Sequence, residues 1–203
     1  MKIFITGTDT NVGKTIISSW LCAHSGYDYC KPIQTGGDLE RDCLQISQLS
    51  GVKIHAESYL LQDPVSPHLA ASKENINIDL EKIILPEVDN LIIEGAGGVL
   101  VPLNEKALMI DLIKWLNVPV IVVARTSLGT INHTLLTLKA LQMRKIPILG
   151  VILKGDHDAD NARAIAHYGK VKILVSVPHF DDLNVDALKK FPFSSALTEI
   201  FKR

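Results

Sequence analysis

No stretch of this chain approaches the ~18 consecutive apolar residues that a membrane-spanning helix requires. The apolar run behind Lys2 breaks at Thr6 and Gly7, too early for a secretory leader. An excess of either charge is also missing, because 21 Lys and Arg stand against 22 Asp and Glu, a formal net charge of −1. So balanced a chain has no electrostatic reason to bind nucleic acid or an anionic membrane. Cysteine is scarce: Cys22, Cys30 and Cys43 are odd in number and lack a C-x-x-C spacing. That argues against a disulfide framework or a zinc site and for a reducing, cytoplasmic setting, with the three read as buried structural thiols. There is no internal repeat, low-complexity tract or Gly/Ser/Pro linker, so residues 1–203 are read as one domain.

What the sequence does contain is a series of short apolar runs, continuous rather than alternating, as in strands buried on both faces. They are Ile3–Thr6, Leu91–Glu94, Pro119–Ala124, Ile148–Leu153 and Ile173–Val177, with a weaker one at Tyr27–Lys31. Helical spacing lies between them: Met109, Leu112, Ile113 and Leu116 share one face, as do Ile131, Leu135, Leu138 and Leu141. The alternation predicts an α/β fold, a parallel sheet flanked by helices on both faces. From Pro32 to about Pro86 the pattern is irregular, apart from a short helix expected at Asp42–Leu49. Ligands of parallel α/β sheets lie beyond the strands' carboxyl ends, where such segments emerge.

After the first run the chain reads GTDTNVGKT, from Gly7 to Thr15. A phosphate-binding loop is written G-x-x-x-x-G-K-[ST], whereas here five residues separate Gly7 from Gly13. The context is nonetheless the required one: strand, turn, then Gly13-Lys14-Thr15 opening a helix whose N–H groups and dipole favour a polyphosphate. In that pattern Lys14 reaches the β and γ phosphates and the Thr15 hydroxyl coordinates Mg²⁺. Glu94, followed by GAGG, is placed at a strand tip as a Walker B acid would be. Asp42 is a second possible ligand, though read alone it serves equally as a helix cap or surface acid. Lys31 also stands at a strand tip. Near a phosphate loop it would stabilise charge on a transferred phosphoryl group; elsewhere it would simply be solvated.

Five short motifs, GTDTNVGKT, YCKPIQTG, SPHLAA, IEGAGG and LGTINH, occur in order and at suitable distances. Together they resemble the dethiobiotin synthetase family, ATP-dependent cyclo-ligases of the phosphate-loop superfamily, from the N-terminus to about residue 153. Family members share the five-residue gap, with Glu common where Asn11 stands and Ser usual at Thr35. The resemblance implies a nucleotide held by Asn11, Val12, Gly13, Lys14, Thr15 and Ile16, with Mg²⁺ on Thr15, Asp42 and Glu94. It implies catalytic roles for Lys14, Lys31 and Thr10, and substrate contacts from Thr10, Lys31, Thr35 and the run Gly95, Ala96, Gly97 and Gly98. The implied substrates are 7,8-diaminopelargonic acid, CO₂ and ATP. One amine takes up CO₂, the carbamate attacks the γ-phosphate, and the second amine closes the ring. No protein nucleophile is needed, and catalysis is positioning plus electrostatics. The resemblance also implies a homodimer in which Leu128, Gly129, Thr130 and Asn132 hold the substrate carboxylate of the partner subunit. A helix start there could bind an anion, while Thr130 could equally be a simple cap. His133 is read as structural.

The far end of the nucleotide departs from the family. After the strand at Ile148–Leu153, relatives carry Asn-Asp, whose Asn reads adenine; here the chain continues Lys154-Gly155-Asp156. The K-x-D spacing occurs in the guanine-reading N-K-x-D motif of GTPases, here without its Asn, and is short enough to arise by chance. Relaxed base selectivity is therefore expected, with GTP or CTP admitted beside ATP. Pro178 and Phe180 are expected to flank the base, and Lys154 and Gly155 to line its site. The last stretch, with Leu197, Ile200 and Phe201, reads as a short amphipathic helix. Three other classes fit less well. Amidotransferase-type ligases need a glutaminase domain, partitioning ATPases often carry a second lysine where this chain has Thr8 to Thr10, and a non-catalytic regulator has no reason to keep Lys31, Glu94 and LGTINH together.

Overall fold

The structure, a computed structural model, describes residues 1–37, 41–180 and 182–202. In chain order it contains β1 (Lys2–Gly7), α1 (Lys14–Ser25), β2 (Asp28–Cys30), β3 (Ile33–Thr35), α2 (Asp42–Ser50), β4 (Ile54–His55), β5 (Tyr59–Leu61) and α3 (Pro67–Lys73). A 3-10 turn at Leu80–Lys82 leads to β6 (Leu91–Gly98), α4 (Met109–Leu116), β7 (Val120–Arg125), α5 (Thr130–Met143) and β8 (Ile148–Lys154). The chain closes with α6 (Ala159–Gly169), β9 (Ile173–Val177), α7 (Val185–Lys190) and α8 (Ser195–Phe201).

Among the described residues the main sheet is seven-stranded and parallel, in the order β4-β2-β6-β1-β7-β8-β9. Successive side chains of a strand point to opposite faces, so β1 supplies both halves of the core. Ile3 and Ile5 pack with Ile17, Trp20 and Leu21 of α1 on one side. Phe4 packs with Met109, Leu112 and Ile113 of α4 on the other. The C-terminal helix joins the first half, with the Phe201 ring 5.1 Å from that of Tyr27. Because β1 lies between β6 and β7, the chain leaves it toward opposite edges of the sheet. This is the switch point at which α/β folds bind ligands.

Two expectations need correction. The segment from Pro32 to Pro86 is more ordered than its sequence suggests. β3 and β5 form a second, two-stranded parallel sheet, β4 joins the edge of the main sheet, and α3 follows. Strands of two or three residues are too short to show a period. Residues 38–40 of that segment lie outside the described residues. The second correction concerns Glu94, expected at a strand tip: β6 continues past it through GAGG to Gly98. Small residues let the two chains stay close there, Gly7 opposing Gly98 across an irregular register.

Candidate active site

The loop after β1 closes with Gly13 in the left-handed region (φ 94°), where glycine carries no penalty, and α1 starts at Lys14. Asn11 is also left-handed, at φ 57°. Asn tolerates that conformation better than most side chains, which gives the asparagine at this position a local physical reason. Gly7 is needed for a different cause: a Cβ on it would lie 2.7 Å from the Asp9 carbonyl oxygen and from Val12. The loop therefore folds back tightly on the strand.

Four charged side chains converge beside it. Lys14 and Lys31 are both buried, as is Glu94, and Asp42 is half-buried at the start of α2. The Lys14 ammonium donates to the Asp9 carbonyl at 3.2 Å, and Lys31 is ion-paired with Asp42. The Thr15 hydroxyl lies 2.8 Å from Asp42 Oδ1 and 2.9 Å from Glu94 Oε1. A hydroxyl has one proton to give, so these two carboxylates compete for a single donor. Burial, reinforced by the charge of Asp42, pushes the Glu94 carboxyl above its usual range, against the pull of Lys31 and Lys14. Burial likewise lowers Lys14 below the ordinary lysine value, and the charge of Lys31 acts in the same direction. Hard oxygen ligands from a hydroxyl and two carboxylates, open toward a phosphate loop, are the donor set that suits Mg²⁺. No cluster of three His, Cys, Asp or Glu occurs among the described residues, so a metal here would share its shell with phosphate and water.

These groups line a cleft of about 690 Å³. Thr10, Asn11, Gly13, Ile16, Thr35, Ala96 and Gly97 line it too, so most of the expected phosphate and substrate residues come together in space. Gly95 and Gly98 do not line it. A Cβ on Gly95 would meet the Phe4 ring at 2.7 Å, and one on Gly98 would lie 3.4 Å from the Gly7 carbonyl oxygen. Their smallness serves the packing of β6 against the core and against β1, which corrects the expectation that all four residues of the run approach substrate. Sequence reasoning also missed Gln34, Gln45 and the stretch from Pro64 to Pro67, all on the cleft wall. Tyr29 was missed as well: fully buried, it donates to Glu94 Oε2 at 3.3 Å from β2, two residues before Lys31.

The segment from Leu128 to Asn132 stays outside this cleft. Gly129 is the N-cap of α5 at φ 92° with no side-chain cap, and Thr130 is buried with its hydroxyl donating to the Arg125 carbonyl. Thr130 therefore ties α5 to the end of β7 and is not a cap. Leu128 and Asn132 are exposed. His133 faces a smaller apolar hollow of about 440 Å³ shared with Thr8, Thr10, Val99 and Leu136.

On the other side of the loop lies a cavity of about 550 Å³. It is lined by Asn11, Val12, Gly13 and Ile16 and, across from them, by Thr126, Lys154, Asp156 and His179. Pro178 and Phe180 are not on its wall. The Pro178 carbonyl accepts from the Lys154 ammonium at 2.8 Å, and the Phe180 ring centroid lies 5.7 Å from that ammonium. Burial lowers Lys154 below the ordinary lysine value, against the opposing charge of Asp156.

The model of a family described as an AAA domain matches residues 1–187. The ATP-dependent dethiobiotin synthetase of Lawsonia intracellularis is 49% identical over 201 residues, covering 99% of each chain. That of Paramagnetospirillum magneticum is 48% identical over 177 residues, covering 86% of each. Among solved structures, a ParA family ATPase from Chlorobium tepidum superposes with a TM-score of 0.59 at 17% identity, over 98% of this chain and 96% of that one. The cell division ATPase MinD of Pyrococcus furiosus gives 0.54 at 15% identity, over 99% and 98%. At such identities the structures share the fold alone.

Proposed function

The chain belongs to the ATP-dependent dethiobiotin synthetase family, and from that premise we propose how its own residues divide the work of ureido ring closure. It is an ATP-dependent ligase of biotin biosynthesis that converts 7,8-diaminopelargonic acid and CO₂ to dethiobiotin. The single observation that carries the proposed division is the convergence of Asp42 and Glu94 on Thr15, with Lys14 and Lys31 on the same cleft beside a loop shaped for phosphate.

In this reading the backbone of Asn11 to Ile16 and the Lys14 ammonium hold the phosphates. Thr15, Asp42 and Glu94 hold Mg²⁺, which when bound neutralises charge on the β and γ phosphate oxygens. The diamine lies against Thr10, Lys31, Thr35, Ala96 and Gly97. One neutral amine adds to CO₂ and loses a proton, giving a carbamate whose negative charge Lys31 and Lys14 stabilise. A carbamate oxygen then bonds to the γ-phosphorus as the bond to ADP breaks. The second amine attacks the carbamate carbon, phosphate leaves, and the ring is closed. Lys31 contributes because its charge is fixed by Asp42 before the reaction starts, so little reorganisation is needed when charge develops.

The substrate carboxylate needs a site well away from the amines. Leu128, Gly129 and Asn132 stay outside their own cleft and are exposed, which supports a homodimer in which each subunit completes the other's site. Leu100 and Leu136 are exposed around the hollow at His133, and Leu128 is exposed at the turn before α5, as an apolar contact between copies requires. A single working unit over residues 1–203, a cytoplasmic setting and base selectivity wide enough for GTP or CTP complete the proposal. Among the described residues no helix is long and apolar enough to cross a membrane.

The test is phosphate release by the purified chain with ATP, Mg²⁺, bicarbonate and the diamine. We expect release that depends on the diamine and a cyclic urea product, and a loss of at least about 10²-fold in Lys31→Ala with the fold retained. Diamine-independent hydrolysis, or near-normal turnover of the variant, contradicts the assigned roles.

A further inference from the structure

Glu94 meets a hydroxyl at each of its two oxygens. Thr15, at the start of α1, lies 2.9 Å from Oε1 and shares the cleft wall with Glu94. Tyr29 of β2 donates to Oε2 at 3.3 Å, is fully buried and is not on that wall. The register of the sheet explains this arrangement. β2 runs parallel to β6 with Tyr29 opposite Ile92, and both side chains pack with Ile17 and Leu21 in the half of the core under α1. Glu94 stands two residues after Ile92 and so falls on the same face of β6. The phenol therefore reaches the carboxylate from within the core, whereas Thr15 reaches it from the cleft. Glu94 is only 1% exposed, so what holds one of its oxygens fixes the direction of the other. The next residue but one, Lys31, is ion-paired with Asp42. One short segment of chain thus holds both carboxylates of the site, Glu94 through Tyr29 and Asp42 through Lys31.

We propose that Tyr29 is a positioning residue that sets the cation specificity of the site: it ties back Glu94 Oε2, leaves Oε1 as the one oxygen offered beside Thr15, and thereby favours Mg²⁺ over Ca²⁺. This rests on the reading of Glu94 as a Mg²⁺ ligand given above. Mg²⁺ demands near-ideal octahedral geometry, uses one or two carboxylates, and fills its shell with water and phosphate. Ca²⁺ takes about six to eight oxygens in a flexible arrangement and accepts a carboxylate through both of its oxygens. A carboxylate with one oxygen engaged in the core suits the smaller ion and withholds a ligand from the larger one. A ring that only filled the space under α1 would serve as well without its hydroxyl, so Tyr29→Phe separates the two roles.

The experiment measures calorimetric binding of AMPPNP, an ATP analogue with an uncleavable β–γ bridge, in the presence of Mg²⁺, of Ca²⁺ or of a chelator. The readout is the gain in affinity that each cation confers over the chelator. In the natural protein the gain with Mg²⁺ exceeds that with Ca²⁺. Tyr29→Phe keeps the ring in the core and frees Oε2. It lowers the ratio of the Mg²⁺ gain to the Ca²⁺ gain by about tenfold, the low end for loss of a partner behind a metal ligand, while affinity in chelator stays within about twofold. In a Glu94→Gln background the same substitution changes neither gain further, because the phenol acts through that carboxylate. A ratio unmoved by Tyr29→Phe overturns the proposal. So does an equal loss of affinity with Mg²⁺, with Ca²⁺ and in chelator, which is what damage to the core alone would give, or an undiminished effect in the Glu94→Gln background. Glu94→Gln that leaves both gains intact refutes the Mg²⁺ reading itself, and this proposal with it.

Discussion

Replacing Gly95 by alanine separates two roles for the run after Glu94. If the residue is small so that substrate can approach, the variant should bind substrate poorly and remain stable. The structure says otherwise. An alanine methyl at this position would lie 2.7 Å from Phe4 Cε1, 3.0 Å from Cζ and 3.4 Å from the Met109 sulfur, all inside the core beneath β6. Overpacking of this kind costs about 1–3 kcal/mol. The smaller entropy of the unfolded chain returns about 0.4–1 kcal/mol where the backbone is compatible, and Gly95 is not left-handed. The net loss is about 1.5 kcal/mol, which at about 2–4 °C per kcal/mol for a chain of this size lowers the thermal midpoint by roughly 3–6 °C. Calorimetric unfolding measures this directly. Because the clash is with one ring, Phe4→Leu in the same chain should recover part of the loss, a coupling of about 0.5–3 kcal/mol expected for residues in contact. KM for the diamine should stay within about threefold of the natural value, because the methyl points away from the cleft. A variant of unchanged stability whose KM rises tenfold would refute the packing argument.

Two further outcomes follow from the site's electrostatics and from its exposed leucines. Burial holds the folded Lys14 below its unfolded value, so between the two the unfolded chain binds more protons, and this residue adds stability as pH rises through that window. Nucleotide affinity should fall over the same interval, starting below the ordinary lysine pKa; a flat affinity profile up to about pH 10 would remove Lys14 from the phosphate site. Leu136→Asp places a charge on the exposed apolar face near His133. It should turn a dimer into monomers in sedimentation and raise KM for the diamine while the thermal midpoint of the subunit changes little, and a variant that still sediments as a dimer would disprove the assigned interface.

Much of the molecule was legible in the linear pattern, for a physical reason. Strands buried on both faces must be continuously apolar, and a polyphosphate needs backbone N–H groups at a helix start followed by a cation and a hydroxyl. Both constraints act on neighbours in the chain, so β1, β7, β8, β9 and the loop from Gly7 to Thr15 appear where their residues predict. Lys31, Asp42 and Glu94 could be named from their motifs. That Asp42 and Glu94 meet at one hydroxyl, with Lys31 paired to Asp42, was a matter of the fold, because β2 and β6 become neighbours only through pairing 63 residues apart. The same holds for Tyr29, whose phenol reads as core until Glu94 is found beside it. Gly95 and Thr130 were assigned to ligands because a glycine or threonine beside a motif looks the same whether it faces substrate or packs inward. Only the Phe4 ring and the Arg125 carbonyl tell the two cases apart. Contacts local in the chain can be read from spacing, whereas contacts made by strand pairing and side-chain packing exist only after the chain has folded.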